Sequence, residues 1–149
     1  MEIRAAILVV DDDPLVQMNY LDILSEAGFD VTGAGSLAQA RRELSGGRRF
    51  DLLVCDHDLG DGKGLDLVVQ LTSLSNPPPV IYLSAALPDV LAQAAALAPV
   101  KKVLSKPVEP AYLLDVVRQF TAELAPVPES SYPSVISREE RNLLLRIFN

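Results

Sequence analysis

Residues 50–64, FDLLVCDHDLGDGKG, carry a short, nearly continuous apolar run straight into a carboxylate at Asp56 and then into an acidic loop rich in glycine. Phe50, Leu52, Leu53, Val54 and Cys55 have the length of a strand and no polar alternation, the pattern of a central strand covered on both faces. A carboxylate at the C-terminal end of such a strand stands where open α/β sheets place their chemistry.

The rest of the chain repeats the unit. Residues 5–10 read as a strand that ends in Asp11, Asp12 and Asp13, with Asp13 as N-cap and Pro14 as first helical residue, where its missing N–H costs nothing. Val16, Tyr20, Ile23, Leu24 and Ala27 recur at helical spacing up to a terminating Gly28. Residues 29–34 alternate weakly, as in a strand nearer an edge, and Ser36 with Gln39 forms a capping box for a helix striped by Leu37, Ala40, Arg41 and Leu44. A third helix is expected over 64–75 with Leu65, Val68, Val69 and Leu71 or Thr72 inward, ended by Asn76 and the prolines at 77–79. VIYL at 80–83 is another buried-strand pattern, 88–97 is helical by its alanine content, Val103 and Leu104 make a minimal fifth strand, and Pro110 opens a helix carrying Leu113, Val116, Val117, Phe120 and Leu124. Five strands alternating with five helices imply right-handed crossovers and a parallel sheet between two helical layers, a doubly wound α/β domain.

At 149 residues and 49% hydrophobic content, the chain has material for one such core. We expect it to fill residues 1–124, followed by a proline- and serine-rich linker at 125–135 and a short amphipathic helix at 136–149, which Ser137 and Glu140 would cap. A net charge of -7 argues against nucleic-acid binding by this chain and against anionic membranes, and makes a cation the easier ligand. The apolar stretch at 91–100 is too short and too broken by proline to span a bilayer. With one cysteine and no signal peptide, the expected compartment is the cytoplasm, and Cys55 reads as a buried small hydrophobe.

In a parallel sheet the strand ends delivering Asp11 and Asp12, Asp56, Ser84 and Lys106 all open on one edge. Carboxylates packed together repel unless a cation or a proton lies among them, and oxygen-only ligands point to magnesium. A carboxylate flanked by a divalent cation, an ammonium and a hydroxyl is arranged to accept a phosphoryl group.

These segments, ILVVDDDP at 7–14, DLLVCDHDLGDGKG at 51–64, VIYLSA at 80–85 and VLSKP at 103–107, resemble in order and spacing the receiver domains of bacterial two-component response regulators, the CheY-like family. The resemblance covers residues 5–124 and implies strand order 2-1-3-4-5. It implies Asp56 as phosphoacceptor from a sensor histidine kinase or phosphotransfer protein, with Mg2+ held by Asp12 directly, Asp11 largely through water, Asp56, and the main-chain carbonyl of Asp58. Ser84 would bond a phosphoryl oxygen, Lys106 would pair with the phosphate, Ala85 would leave room beside it, and the Lys106–Pro107 bond would be cis. Such a domain is no conventional enzyme, but catalyses its own phosphorylation and dephosphorylation. Its output would change partner binding, or form a homodimer, through the face of helix 4, strand 5 and helix 5.

Several positions depart from the family pattern. Val103 stands where relatives often have a switching aromatic, Gly60 replaces a proline of the acceptor loop, and Lys63 replaces an acidic or small residue, which predicts a more mobile loop. His57 and Asp58 are expected to be solvated loop residues. Two alternatives remain at this level. DHD at 56–58 imitates the Asp-x-Asp pair of haloacid-dehalogenase-like phosphatases, though no downstream acidic pair follows. ISREERNLLLRIFN at 136–149 resembles the opening helix of a LuxR-type DNA-binding domain, which would make the chain the regulatory half of a transcription factor; a helix docking on the receiver explains the same pattern and is preferred.

Overall fold

In the computed structural model, which describes residues 4–85, 88–122 and 138–148, each buried-strand pattern of the sequence becomes a strand of one sheet. The order along the chain is β1 (Ala6–Val10), α1 (Pro14–Glu26), β2 (Asp30–Ala34), α2 (Leu37–Ser45), β3 (Leu52–Asp56), α3 (Gly64–Leu71), β4 (Val80–Ser84), α4 (Pro88–Ala96), β5 (Val100–Ser105), α5 (Pro110–Thr121) and α6 (Arg138–Phe148). The sheet is parallel with order β2-β1-β3-β4-β5, so the fold is the doubly wound, flavodoxin-like one. The expected linker at 125–135 lies outside the described residues.

β1, β3 and β4 are buried on both faces, which is why they read as unbroken apolar runs. Their side chains alternate between two layers. Ile7, Val9, Leu52, Val54, Ile81 and Leu83 pack with Leu24 of α1 and Leu113, Val116 and Val117 of α5. Leu8, Val10, Leu53, Cys55, Val80 and Tyr82 pack with α2, α3 and Ala94 of α4. Each such fully buried aliphatic side chain contributes about 2 kcal/mol, enough for a dozen of them to hold the strand ends in fixed register.

Helix ends follow their local chemistry. The Asp13 carboxylate accepts from Leu15 and Val16 N–H and starts α1. Past its end, Gly28 at φ 97° lets its own N–H reach Ser25 O and the Phe29 N–H reach Leu24 O, a Schellman closure. Two elements differ from the sequence expectation. α3 stops at Leu71, after which Thr72, Ser73 and Leu74 bond to the carbonyls three residues back, tightening the chain ahead of the prolines. Its inward stripe is Gly64, Leu67, Val68 and Leu71, while Val69 is 52% exposed: the helical period has to be counted from Gly64, which presses on β3. β5 runs over six residues instead of two; its register to β4 slips between Val80 and Ile81, so Lys101 is passed over and the period of two is broken.

α6 lies against α2 and α3. Leu144 and Phe148 join the core layer on that side, and Gln70 of α3 bridges all three helices, accepting from Arg41 Nε at 2.9 Å and donating to the Ile147 carbonyl at 2.9 Å.

Candidate functional site

Because all strands run the same way, β1, β3, β4 and β5 release Asp11, Asp56, Ser84 and Lys106 at one edge. Asp11, 2% exposed, accepts from the Asp13 N–H at 2.9 Å on Oδ1 and from Lys106 Nζ at 3.2 Å on Oδ2. Asp56, the last residue of β3 and 5% exposed, accepts from the His57 N–H at 2.8 Å on Oδ1 and lies 3.1 Å from Lys106 Nζ through Oδ2. Asp12 is exposed at the rim, and carboxylate oxygens of Asp11, Asp12 and Asp56 all fall within 4.8 Å of one another. Ser84 is buried at the end of β4, and its carbonyl accepts from the Lys106 N–H at 2.9 Å, locking the lysine beside it. The Lys106–Pro107 peptide is cis. The structure therefore brings together Asp11, Asp12, Asp56, Ser84 and Lys106.

The electrostatics follow from burial. Burial raises the Asp56 carboxyl above the ordinary carboxylate range, with Lys106 opposing it and Asp11 adding to it. Burial pulls the Lys106 ammonium down, but the carboxylates of Asp11 and Asp56 together outweigh it and leave the lysine above its usual value. One ammonium thus faces two buried carboxylates, with a third at the rim. That surplus of negative charge, presented by oxygen atoms alone, fits a hard divalent cation.

The β3–α3 loop brackets this edge. Gly64 N–H bonds to His57 O at 2.7 Å and Leu59 N–H to Gly62 O at 3.1 Å, flanking Asp58, whose own carbonyl takes part in neither bond. The Asp58 side chain is exposed and ion-paired with Lys63, which holds its carboxyl below the ordinary range. An exposed, ionised Asp58 is a poor general acid, and the phosphatase alternative that needs it finds no support in this geometry.

His57 corrects the expectation of a solvated residue. It is 8% exposed, with Nδ1 2.6 Å from the Tyr82 hydroxyl and the two rings edge to face at 5.9 Å. Nothing local in the sequence signals this pairing, since the partner is 25 positions away on β4. Asp61 was likewise not singled out by sequence: its two carboxylate oxygens accept from Leu37 N–H at 2.8 Å and Ala38 N–H at 3.0 Å, so the loop caps α2 from outside. Gly64 is required by close approach, because a Cβ there would lie 2.2 Å from the Asp56 carbonyl oxygen.

A family model described as the response regulator receiver domain matches residues 7–118, and the chain belongs to that family. Among curated proteins it is 31% identical over 128 residues to the sensory transduction protein LytT of Enterococcus faecalis, covering 84% of this chain and 52% of LytT. It is 31% identical over 147 residues to the transcriptional regulatory protein GlrR of Escherichia coli, covering 96% of this chain and 32% of GlrR. The chain thus spans about half or less of the length of these relatives. Among solved structures, a CheY-like receiver domain protein from Methanospirillum hungatei superposes with a TM-score of 0.74 at 24% identity, covering 81% of this chain and 96% of that one. A CheY-like receiver domain from Methylobacillus flagellatus gives 0.69 at 25% identity, covering 79% and 99%. The protein is therefore a two-component receiver domain, and its acidic cluster stands in the pocket where receivers generally bind Mg2+.

Proposed function

We propose that this receiver takes a phosphoryl group from a sensor histidine kinase or phosphotransfer protein onto Asp56 in a magnesium-dependent reaction, and switches partner binding in response. The observation that carries the reading is Lys106 Nζ standing 3.1 Å from Asp56 Oδ2 and 3.2 Å from Asp11 Oδ2 in the acidic cluster. Asp11, Asp12, Asp56 and the Asp58 carbonyl would hold Mg2+, which supplies charge neutralisation for the incoming phosphoryl oxygens. An Asp56 carboxylate oxygen forms the new bond to phosphorus as the donor's bond to phosphorus breaks. Lys106 then exchanges part of its pairing with Asp56 for a phosphoryl oxygen, and the Ser84 hydroxyl donates to another. Ala85, small and exposed, leaves that side open.

The switching face would be α4, β5 and α5, and it would also serve a homodimer. The reading places the protein in the cytoplasm, where a sensor kinase presents its phosphoryl group; no helix among the described residues is long and apolar enough to cross a membrane. It acts on itself and not as a conventional enzyme, and this chain alone binds no nucleic acid. A second reading, the regulatory half of a longer transcription factor, is favoured by the match to GlrR, a transcriptional regulatory protein of which this chain aligns with 32%.

Incubation with acetyl phosphate and Mg2+ should add one phosphoryl group by intact mass, and chelation should abolish it. An Asp56→Ala variant that still accepts the group would overturn the assignment.

A further inference from the structure

The β3–α3 loop has no proline, has Gly60 at φ 74° and Gly62 within it, and is closed by Gly64, so its backbone has more freedom to lose than most. Asp58, which the proposed function asks to present its carbonyl to the cation, sits in that loop. Something must hold it in place.

Tyr82 is fully buried on β4, in register with Cys55 on one side and Val103 on the other. Its hydroxyl lies 2.6 Å from His57 Nδ1, at the first residue of the loop. At the loop's other end the Gly64 N–H bonds to the His57 carbonyl at 2.7 Å. Burial raises the phenol far above its ordinary value, so it stays neutral. Both loop ends thus meet at His57, whose ring is held by a hydroxyl fixed in the core, and the His57 N–H that reaches Asp56 Oδ1 belongs to the same anchored residue. Leaving either buried polar group unpaired is costly, which favours the clasped geometry.

We infer that Tyr82, through His57, is a positioning residue that clasps the two ends of the acceptor loop and so sets the Asp58 carbonyl for the cation. This rests on the proposed function. Neither residue touches the phosphoryl group; the clasp does the work that the missing loop proline leaves undone.

The test uses the full chain and three variants: Tyr82→Phe, His57→Leu, and His57→Asn, whose side-chain amide sits near the place of Nδ1 and can pair with a hydroxyl in either direction. Mg2+ affinity is measured by calorimetry, amide exchange of residues 57–65 in metal-free protein, and phosphorylation by acetyl phosphate at limiting and saturating Mg2+. Tyr82→Phe and His57→Leu should bind Mg2+ about tenfold more weakly, as losses of outer-shell partners typically do. Their loops should exchange faster, and their phosphorylation should recover at saturating Mg2+. His57→Asn should stay near wild type in all three. A Tyr82→Phe protein with unchanged Mg2+ affinity and loop exchange overturns the inference, as does a rate loss that saturating Mg2+ leaves in place. If the wild type binds Mg2+ yet accepts no phosphoryl group, the functional reading fails while affinity and exchange still decide the clasp; if it binds no Mg2+, both fail.

Discussion

At the scale of single residues, the strictest demand falls on Gly64. A Cβ there would stand 2.2 Å from the Asp56 carbonyl oxygen and 2.9 Å from Cys55 Sγ, and the first of these neighbours is backbone that cannot rotate away. Gly64→Ala should therefore cost about 2 kcal/mol in urea unfolding, typical of overpacking, and should also depress acetyl-phosphate labelling, since the strain is delivered to Asp56, the proposed acceptor. Cys55 lies at 0% exposure, and burial raises its thiol far above the ordinary range, with Asp56 and Asp11 adding to the effect. It should resist aromatic disulfide reagents until the protein unfolds, a result read from thiol titration with and without denaturant. The buried cysteine was legible in its apolar run, and so were Asp11, Asp56, Ser84 and Lys106, because each ends a strand pattern. His57 was not: a lone histidine after an acid has no periodicity to interpret, and its burial is decided by a tyrosine from another strand.

At the scale of elements, the loop and α2 are joined through Asp61. Replacing it with alanine removes two acceptors from the first turn of α2 and should cost about 1 kcal/mol, as lost caps do. Hydrogen bonds from Ala38 and Leu37 hold the Asp61 carboxyl below its ordinary value. Its stabilising effect should therefore be fully present above the unfolded carboxyl pKa, near 4, and be lost as pH falls through the lower folded value. Comparing wild type with Asp61→Asn in thermal melts from pH 3 to 7, as an approximate range, would show the difference shrinking at the acid end. Helices with strong caps and a full stripe, such as α1 and α2, could be placed from sequence. α3 and β5 could not be bounded, because tightened turns and a register slip leave the hydrophobic pattern while altering the hydrogen bonding.

At the scale of the molecule, α6 packs on α2 and α3 and extends the core layer on that side. Leu144→Ala should destabilise the chain by about 2 kcal/mol, as large-to-small changes in a core do. It should raise amide exchange across α6, yet leave Asp56 labelling within about twofold, because α6 contributes no group to the strand edge. The helix itself was readable from its amphipathic stripe. The surface that receives it was not, because a stripe states that a partner exists without saying where.

The ion pair between Lys106 and Asp11 spans 95 positions of sequence. During synthesis both buried acids emerge long before the lysine that offsets them, so a chain halted before β5 would carry Asp11 and Asp56 without their counter-charge. On the proposed function, competence to take a phosphoryl group would thereby report on completed folding: an unfinished receiver would have no means to accept the signal it is meant to pass on.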